Sequence, residues 1–431
     1  MRQALITALI IFLGIPATTG AGAAAPAEDG IRARIEQLTP ALIEIRRHIH
    51  QNPETGNREF KTAALVAEKL RGLGLEVIEK VAHTGVVGIL RGARPGRVVA
   101  VRADMDALPL QEKTDLPFKS RVDGVMHACG HDIHTTVGLG AAMVLAEMKD
   151  DLAGTVKFIF QPAEEGSPEG EEGGAGLMVK EGVLENPAPG VIFGLHVGSG
   201  LPVGMISYVP GGALASNDSF DIVIRGKGVH ASMPWGGVDP VVTSAQVITA
   251  LQNIRSRMTD TRIPFVVSVS MIHGGTAFNI IPEEVKMTGT IRTHDPDIRK
   301  RVHALMEQVI AGVCAANRAE HELDIHPGAP VTFNHVGLTR WSVDVLGKRF
   351  EPRRVMEMPP VMGSEDFAYY GRKIPAFFYF LGITNQDPAT AYPAHSPLFQ
   401  ADEGCIPMGV EAQVALVLEY LNSDVNFALN K

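Results

Sequence analysis

Two apolar runs, GTVKFIFQP (154–162) and GVIFGLHV (190–197), most constrain what this chain can fold into. They are too short for ordinary helices and too continuously apolar for strands with one wet face, so they read as strands buried on both sides. Such strands need helices above and below the sheet. The neighbouring sequence supplies them. Ile31 to Leu73 has a helical pattern broken at NPETGN, LEVIEKVAHTGVVGILRG and GRVVAVRADMD read as strands, and HTTVGLGAAMVLAEM as a helix beginning near Thr135. After Pro330 the rhythm resumes with the strand PAFFYFLGI and a closing helix from Glu403 to Leu421. The alternation predicts an α/β fold with a helix-flanked, mainly parallel sheet.

Near residue 213 the rhythm changes. SFDIVIRGKG, Pro240 to Met258, PFVVSVSMIHGG, EVKMTGTIRT, Asp297 to Asn317 and AEHELDIH read in order as strand, helix, strand, strand, helix, strand. This is a complete βαββαβ unit, a ferredoxin-like two-layer fold. The expected organisation is therefore a domain in two parts, 28–213 and 329–431, with a second domain inserted at 214–328.

Arg2, an apolar run from Ala4 to Ile15, and the small residues of AGAAAPAED read as a signal peptide over residues 1–25. The run is too short to anchor in a bilayer, and the reading predicts a periplasmic or secreted protein. No later segment reads as long and apolar enough to cross a membrane. A net charge of -9 with dispersed basic residues argues against a nucleic-acid partner. Of three cysteines, Cys314 and Cys405 fall in apolar patterns and read as small buried hydrophobes.

Cys129 differs, because MHACGHDIH (126–134) gathers three histidines around it. Thiolate and neutral imidazole suit zinc or another divalent ion, and a helix N-terminus favours the thiolate. Cys129 and His131 cannot fill a coordination shell alone. Other chemistry-bearing groups follow directly after apolar strands: Asp104 and Asp106, Glu164 and Glu165, and His196. Carboxyl ends of parallel strands converge on one ligand site, so Glu165 and His196, with His395 from AYPAHSPLF, are the expected further ligands. His127 and His134 read as supporting residues. Taken singly, a histidine after a strand is an ordinary hydrogen-bonded residue and two carboxylates in a glycine-rich loop an ordinary solvated turn; their coincidence is what points to a metal site. Neighbouring side chains in extended chain diverge, so Glu165 is free to bind metal while Glu164 acts as general base on water and returns the proton to a leaving amine.

RADMDALPL, HACGHDIHTTVGLGAA, QPAEEG, GLHV, GKGVHASMPWGGVDPV, GGTAFNIIPEEVKMTGTIRT, MGSEDFAYY and YPAHSPLF together resemble the amidohydrolase branch of the M20 metallopeptidases, which includes hippurate and auxin-conjugate hydrolases. The resemblance implies two divalent ions, Zn, Mn, Co or Ni, held by Cys129, His131, Glu165, His196 and His395, with Glu164 as general base and Asp106 orienting a ligand. It also implies that the inserted domain is a lid through which the chain forms a homo-oligomer. His230 would polarise the scissile carbonyl and Asn279 would contact substrate, while Arg292 and the loop from Gly363 and Ser364 to Asp366 would hold a substrate carboxylate. The expected activity is an exported, metal-dependent amidohydrolase cleaving small N-acyl or N-aroyl amino acids. Two alternatives stand beside it: a metallo di- or carboxypeptidase acting on peptides, and a periplasmic metal- or solute-binding protein, which would have no use for Glu164 beside Glu165.

Overall fold

The computed structural model describes residues 28–385, 387 and 391–429. The signal-peptide reading of residues 1–25 lies outside them. Helices α1 (Glu28–Gln51) and α2 (Phe60–Gly72) precede the strands β1 (Glu76–Val81), β2 (Gly85–Arg91) and β3 (Arg94–Asp104). Helix α3 (His131–Glu147), β4 (Ala153–Gln161), β5 (Val191–Pro202) and β6 (Ile206–Tyr208) follow. The inserted segment supplies β7 (Asp218–Arg225), α4 (Pro240–Asn253), β8 (Phe265–Gly274), β9 (Glu284–Thr293), α5 (Pro296–Asn317) and β10 (Glu320–Pro327). The chain then returns through β11 (Val355–Glu357), β12 (Ala376–Thr384) and α6 (Ile406–Leu421).

The large sheet runs β1-β2-β4-β3-β5-β12-β6-β11. Its centre, β4-β3-β5-β12, is parallel, as the doubly buried apolar runs require. Both flanks carry antiparallel pairs: β1 and β2 form a hairpin, β2 pairs antiparallel with β4, and β6 with β12. One face of the sheet packs under α1, α3 and α6. Helix α3 is apolar and small on every side and is buried along almost its whole length. A Cβ on its Gly140 would stand 2.6 Å from Val410 of α6, so glycine is what lets these two helices approach.

The second sheet, β8-β9-β7-β10, is wholly antiparallel and has its own core of Phe220, Ile222, Val247, Met287, Val302 and Met306 under α4 and α5. Two crossings join it to the large sheet. Asp218, at the start of the first crossing's strand, accepts the Gly328 backbone N–H of the second (3.2 Å), and also binds Arg299 and His303 (2.8 Å).

Three expectations need correction. Helix α3 begins at His131, not near Thr135, because Gly130 turns the chain with φ 89° and lets the helix start inside the histidine cluster. His196 does not follow a strand but sits within β5, which continues to Pro202 because β12 keeps pairing beside it, Phe380 opposite His196. The segment Glu403–Leu421 is long and apolar enough to cross a membrane; it is instead largely buried as a core helix.

Candidate active site

The parallel centre of the sheet brings the carboxyl ends of β3, β4 and β5 to one edge, where ligand sites of open α/β sheets form. Beyond β4, Pro162 and Ala163, the latter at φ 52°, turn the chain so that Glu164 and Glu165 project there. Gly130 admits Cys129 and His131 to the same edge: a Cβ at Gly130 would stand 2.4 Å from Val197 of β5. His395 arrives from a loop pinned to the cluster by its own N–H, which donates to Ala128 O (2.8 Å).

Each imidazole is oriented from behind. His131 Nδ1 donates to Asp106 Oδ1 (3.1 Å), whose other oxygen accepts the Glu165 backbone N–H (2.9 Å). His196 Nδ1 donates to Val197 O (2.7 Å). Both rings are thereby left with an Nε2 lone pair facing the cluster, the arrangement of metal-binding histidines. His196 Nε2 lies 3.3 Å from Cys129 Sγ, and His395 Nε2 lies 3.2 Å from Glu165 Oε1. His131 Nε2 is 3.9 Å from carboxylate oxygens of both Glu164 and Glu165. His131 Nε2 and Glu165 Oε1 are buried with no hydrogen-bond partner. Ligand atoms of Cys129, His131 and His196 lie within 4.8 Å of one another, as do those of Cys129, Glu165 and His395. Two overlapping sets of thiol, imidazole and carboxylate, with orphaned lone pairs between them, fit a pair of divalent ions.

Electrostatics reinforce this fit. Burial pushes the Cys129 thiol well above its ordinary range, against the expectation that the helix N-terminus alone would favour the thiolate. His131 pulls the other way and the carboxylates of Glu165 and Glu164 add to the rise, but burial prevails, so a thiolate here needs a further cation. Burial opposes charge on His131, but Asp104 and the bond to Asp106 outweigh it and raise its pKa well above the usual value. Burial, then Glu365 and Asp366, hold the Glu164 carboxyl well above the usual carboxylate range.

Cys129, Glu164, Glu165, His196 and His395 line a cleft of about 800 Å³. The cleft also reaches Arg292, Gly363 and Ser364, and Arg292 Nη1 donates to Ser364 Oγ across the two sheets (3.2 Å). His230 and Asn279 are not brought to it. They sit on or beside a two-stranded antiparallel pairing of the inserted domain, where the Ala231 N–H donates to Asn279 O (2.9 Å), and the His230 side chain is exposed and bonded to Ser232 (2.7 Å). Within the 363–366 loop, Ser364 carries the contact to Arg292, while Glu365 and Asp366 are held by Arg102.

Two supporting residues, Arg102 and Glu59, escaped sequence reasoning, whereas His134 is legible in the sequence as a supporting residue. Arg102, fully buried on β3, binds Gln161, Asp104, Glu365 and Asp366 together. A charged residue interrupting an apolar strand just before an acidic end was the available signal. The Val197 N–H donates to His134 Nε2 (2.8 Å), which leaves the His134 Nδ1 proton for Asp104 Oδ1 (2.6 Å), so this histidine braces β5 against β3. Glu59, buried ahead of α2, accepts the Ala163 N–H (2.8 Å) behind the catalytic loop; burial, then Asp106, push its carboxyl up to about 7. Nothing in its local sequence marked it.

Residues 100–419 match the model of peptidase family M20/M25/M40. The chain is 40% identical to thermostable carboxypeptidase 2 of Saccharolobus solfataricus over 91% of this chain and 99% of that one. It is also 40% identical to IAA-amino acid hydrolase ILR1-like 4 of Arabidopsis thaliana, over 90% of this chain and 88% of that one. The crystal structure of the Bacillus subtilis YXEP protein, a dinuclear metal-binding peptidase of the M20 family, superposes with a TM-score of 0.78 at 34% identity, over 90% of this chain and 99% of that one. The donor pairs at the sheet edge, the adjacent Glu164 and these relatives converge: the chain belongs to peptidase family M20/M25/M40 and is a metal-dependent amide hydrolase.

Proposed function

We propose that this protein is an exported amidohydrolase that cleaves N-acyl or N-aroyl amino acids. The observation that carries the reading is the composition of the cleft. Glu164 lines it together with the candidate metal ligands Cys129, Glu165, His196 and His395, Arg292 supplies a cation for a substrate carboxylate, and Leu201, Leu214, Met356, Met358, Val361 and Phe380 provide an apolar wall for an acyl or aroyl group. Burial lowers the pKa of Arg292, and a carboxylate partner would relieve that penalty. Cys129, His131, Glu165, His196 and His395 would hold the divalent ions, which would supply Lewis acidity to an amide carbonyl and to water. Glu164 then takes a proton from the attacking water and passes it to the departing amine. Asp106 and Val197 O hold the His131 and His196 rings in register, and Arg292 holds the carboxylate end.

A carboxypeptidase reading draws on the Saccharolobus relative and would use Arg292 in the same way. The apolar wall favours an acyl group over a polar peptide chain. A storage protein is disfavoured because Glu164 is the added carboxylate that hydrolysis requires. Export is supported by the apolar run from Ala4 to Ile15 followed by small residues.

Assembly of two or more copies through the inserted domain is supported by its open edge. On β8, Met271 and Ile272 are each about half exposed, and Phe278 beside Asn279 is fully exposed. His230 and Asn279 lie in this region, outside the cleft, so closure or a second copy would have to bring them to substrate.

The test is a substrate panel on metal-reconstituted protein: hippurate, N-acetyl amino acids, larger aroyl-phenylalanines and dipeptides, with light scattering for the oligomer. The reading predicts the highest kcat/KM on acyl or aroyl amino acids and a mass of at least two chains. Preference for dipeptides would overturn the substrate class, and a monomer the assembly.

A further inference from the structure

Glu365 lines the cleft yet is only 2% exposed, and its carboxylate is fixed on one side alone. Its Oε1 accepts from Arg102 Nη2 (2.9 Å) and from the Phe367 N–H (2.9 Å), and Thr332 Oγ1 donates to its backbone carbonyl (2.9 Å). Its neighbours are equally committed: Ser364 takes the bond from Arg292, and Asp366 accepts from Arg102, Gln161 and the Ala175 N–H. Glu365 Oε2 is buried with no hydrogen-bond partner. A carboxylate oxygen of Glu365 lies within 4.8 Å of one on Glu164. A buried carboxylate oxygen is costly to leave without a donor, and these contacts prevent the group from turning to find one.

Resting on the reading of the cleft as an N-acyl amino acid site, we propose that Glu365 Oε2 accepts a hydrogen bond from the N–H of the scissile amide, restricting the enzyme to secondary amides. Beside Glu164 and Asp366 a substrate anion is repelled, so the group that docks there must be a donor. An N-acyl amino acid with an apolar side chain carries one donor besides its acid, the amide N–H. That nitrogen must also lie near Glu164, which delivers its proton. In the step itself the water oxygen bonds to the carbonyl carbon, the C–N bond breaks with its electron pair returning to nitrogen, and nitrogen takes the proton held by Glu164. The original N–H stays on the amine throughout, so its bond to Glu365 persists and strengthens as nitrogen gains positive charge. A site built to bond an N–H rejects an analogue lacking it far more strongly than one that merely packs against it.

The experiment compares N-benzoylglycine with N-benzoyl-N-methylglycine, and in parallel Ala-Phe with its N-methyl-amide counterpart, on wild type and on Glu365→Ala and Glu365→Gln. Wild type should prefer the N–H member of a pair by about 100-fold or more in kcat/KM. In Glu365→Ala the preference should collapse to within about threefold, through loss on the N–H substrate, with metal content unchanged; Glu365→Gln, which keeps a carbonyl acceptor, should restore part of it. Equal wild-type turnover of both members of a pair would overturn the proposal even if the variants do not fold. A preference that survives in Glu365→Ala would overturn it as well. If only the dipeptide pair is turned over, the acyl amino acid reading fails, and Glu365 is judged on that pair.

Discussion

Replacing Arg102 with methionine keeps the stem and removes the one cation shared by Asp104, Glu365 and Asp366. The guanidinium makes four bonds: Nε to Gln161 Oε1 (2.8 Å), Nη1 to Asp104 Oδ2 (2.6 Å), and Nη2 to Glu365 Oε1 (2.9 Å) and Asp366 Oδ1 (3.0 Å). At about 1.5–3 kcal/mol for each charge-assisted bond the simple sum is about 6–12 kcal/mol, but the bonds share one group and do not add. Removing one partner of a buried ion pair typically costs about 3–5 kcal/mol, and that is the expected loss at pH 8. The loss should also depend on pH. Burial and Glu365 push Asp366 up to about 8 even against Arg102, while Arg102 holds Asp104 well below the usual range despite its burial. Without Arg102 the Asp366 carboxyl is pushed up further and Asp104 loses its strongest lowering interaction, so both hold protons more readily in the fold. As pH falls from 8 to 5 the folded variant then binds more protons than the unfolded chain, so it regains stability relative to wild type. Denaturant unfolding followed by circular dichroism at pH 8 and pH 5 measures both effects. A loss below about 1 kcal/mol at pH 8, or an equal loss at both pH values, would refute charge compensation as the role of Arg102.

Asp106→Ala removes the acceptor for His131 Nδ1 and for the Glu165 N–H together, so metal affinity should fall by about 10–100-fold, read by competition with a chromogenic chelator; unchanged affinity would deny Asp106 its orienting role. At the crossing between the sheets, burial works against the charge of Asp218, but His303 and Arg299 outweigh it and lower its pKa from 3.8 to about 2. The resulting stabilisation of about 2 kcal/mol is present above roughly pH 4 and lost as pH falls towards 2, so Asp218→Asn should melt earlier than wild type at pH 6 and show a flatter acid limb. Parallel acid limbs for the two proteins would contradict the assignment.

The architecture was legible where one physical demand set the pattern. The doubly buried runs of β4 and β5 could only be central strands, and the change of rhythm at residue 213 marks the start of a segment whose four strands pair as an antiparallel sheet under two helices. Glu164 and Glu165 were legible for a related reason, because parallel strands end together and chemistry placed at their ends converges, here on Cys129 and His131. What stayed hidden depended on contacts far apart in sequence. Nothing local to Glu59 shows that it supports Ala163, 104 residues away, and nothing in GSED shows that Arg102 ties up one oxygen of Glu365 and leaves the other free. His196 was misplaced at a strand end because only the pairing of β12 extends β5 past it. How strongly burial raises the Cys129 thiol, and so how far its thiolate depends on a bound cation, shows only in the packed structure.

The central claim is that the cluster binds divalent metal for hydrolysis and that Glu164 moves the proton. Metal analysis and turnover of Glu164→Gln beside wild type, on the best acyl amino acid substrate, test it most directly. The account predicts two ions per chain in both proteins and a variant rate about 100-fold or more below wild type. A variant that keeps its metal and more than about a tenth of the rate would contradict the proton role, and a wild type holding no tightly bound metal would contradict the site itself.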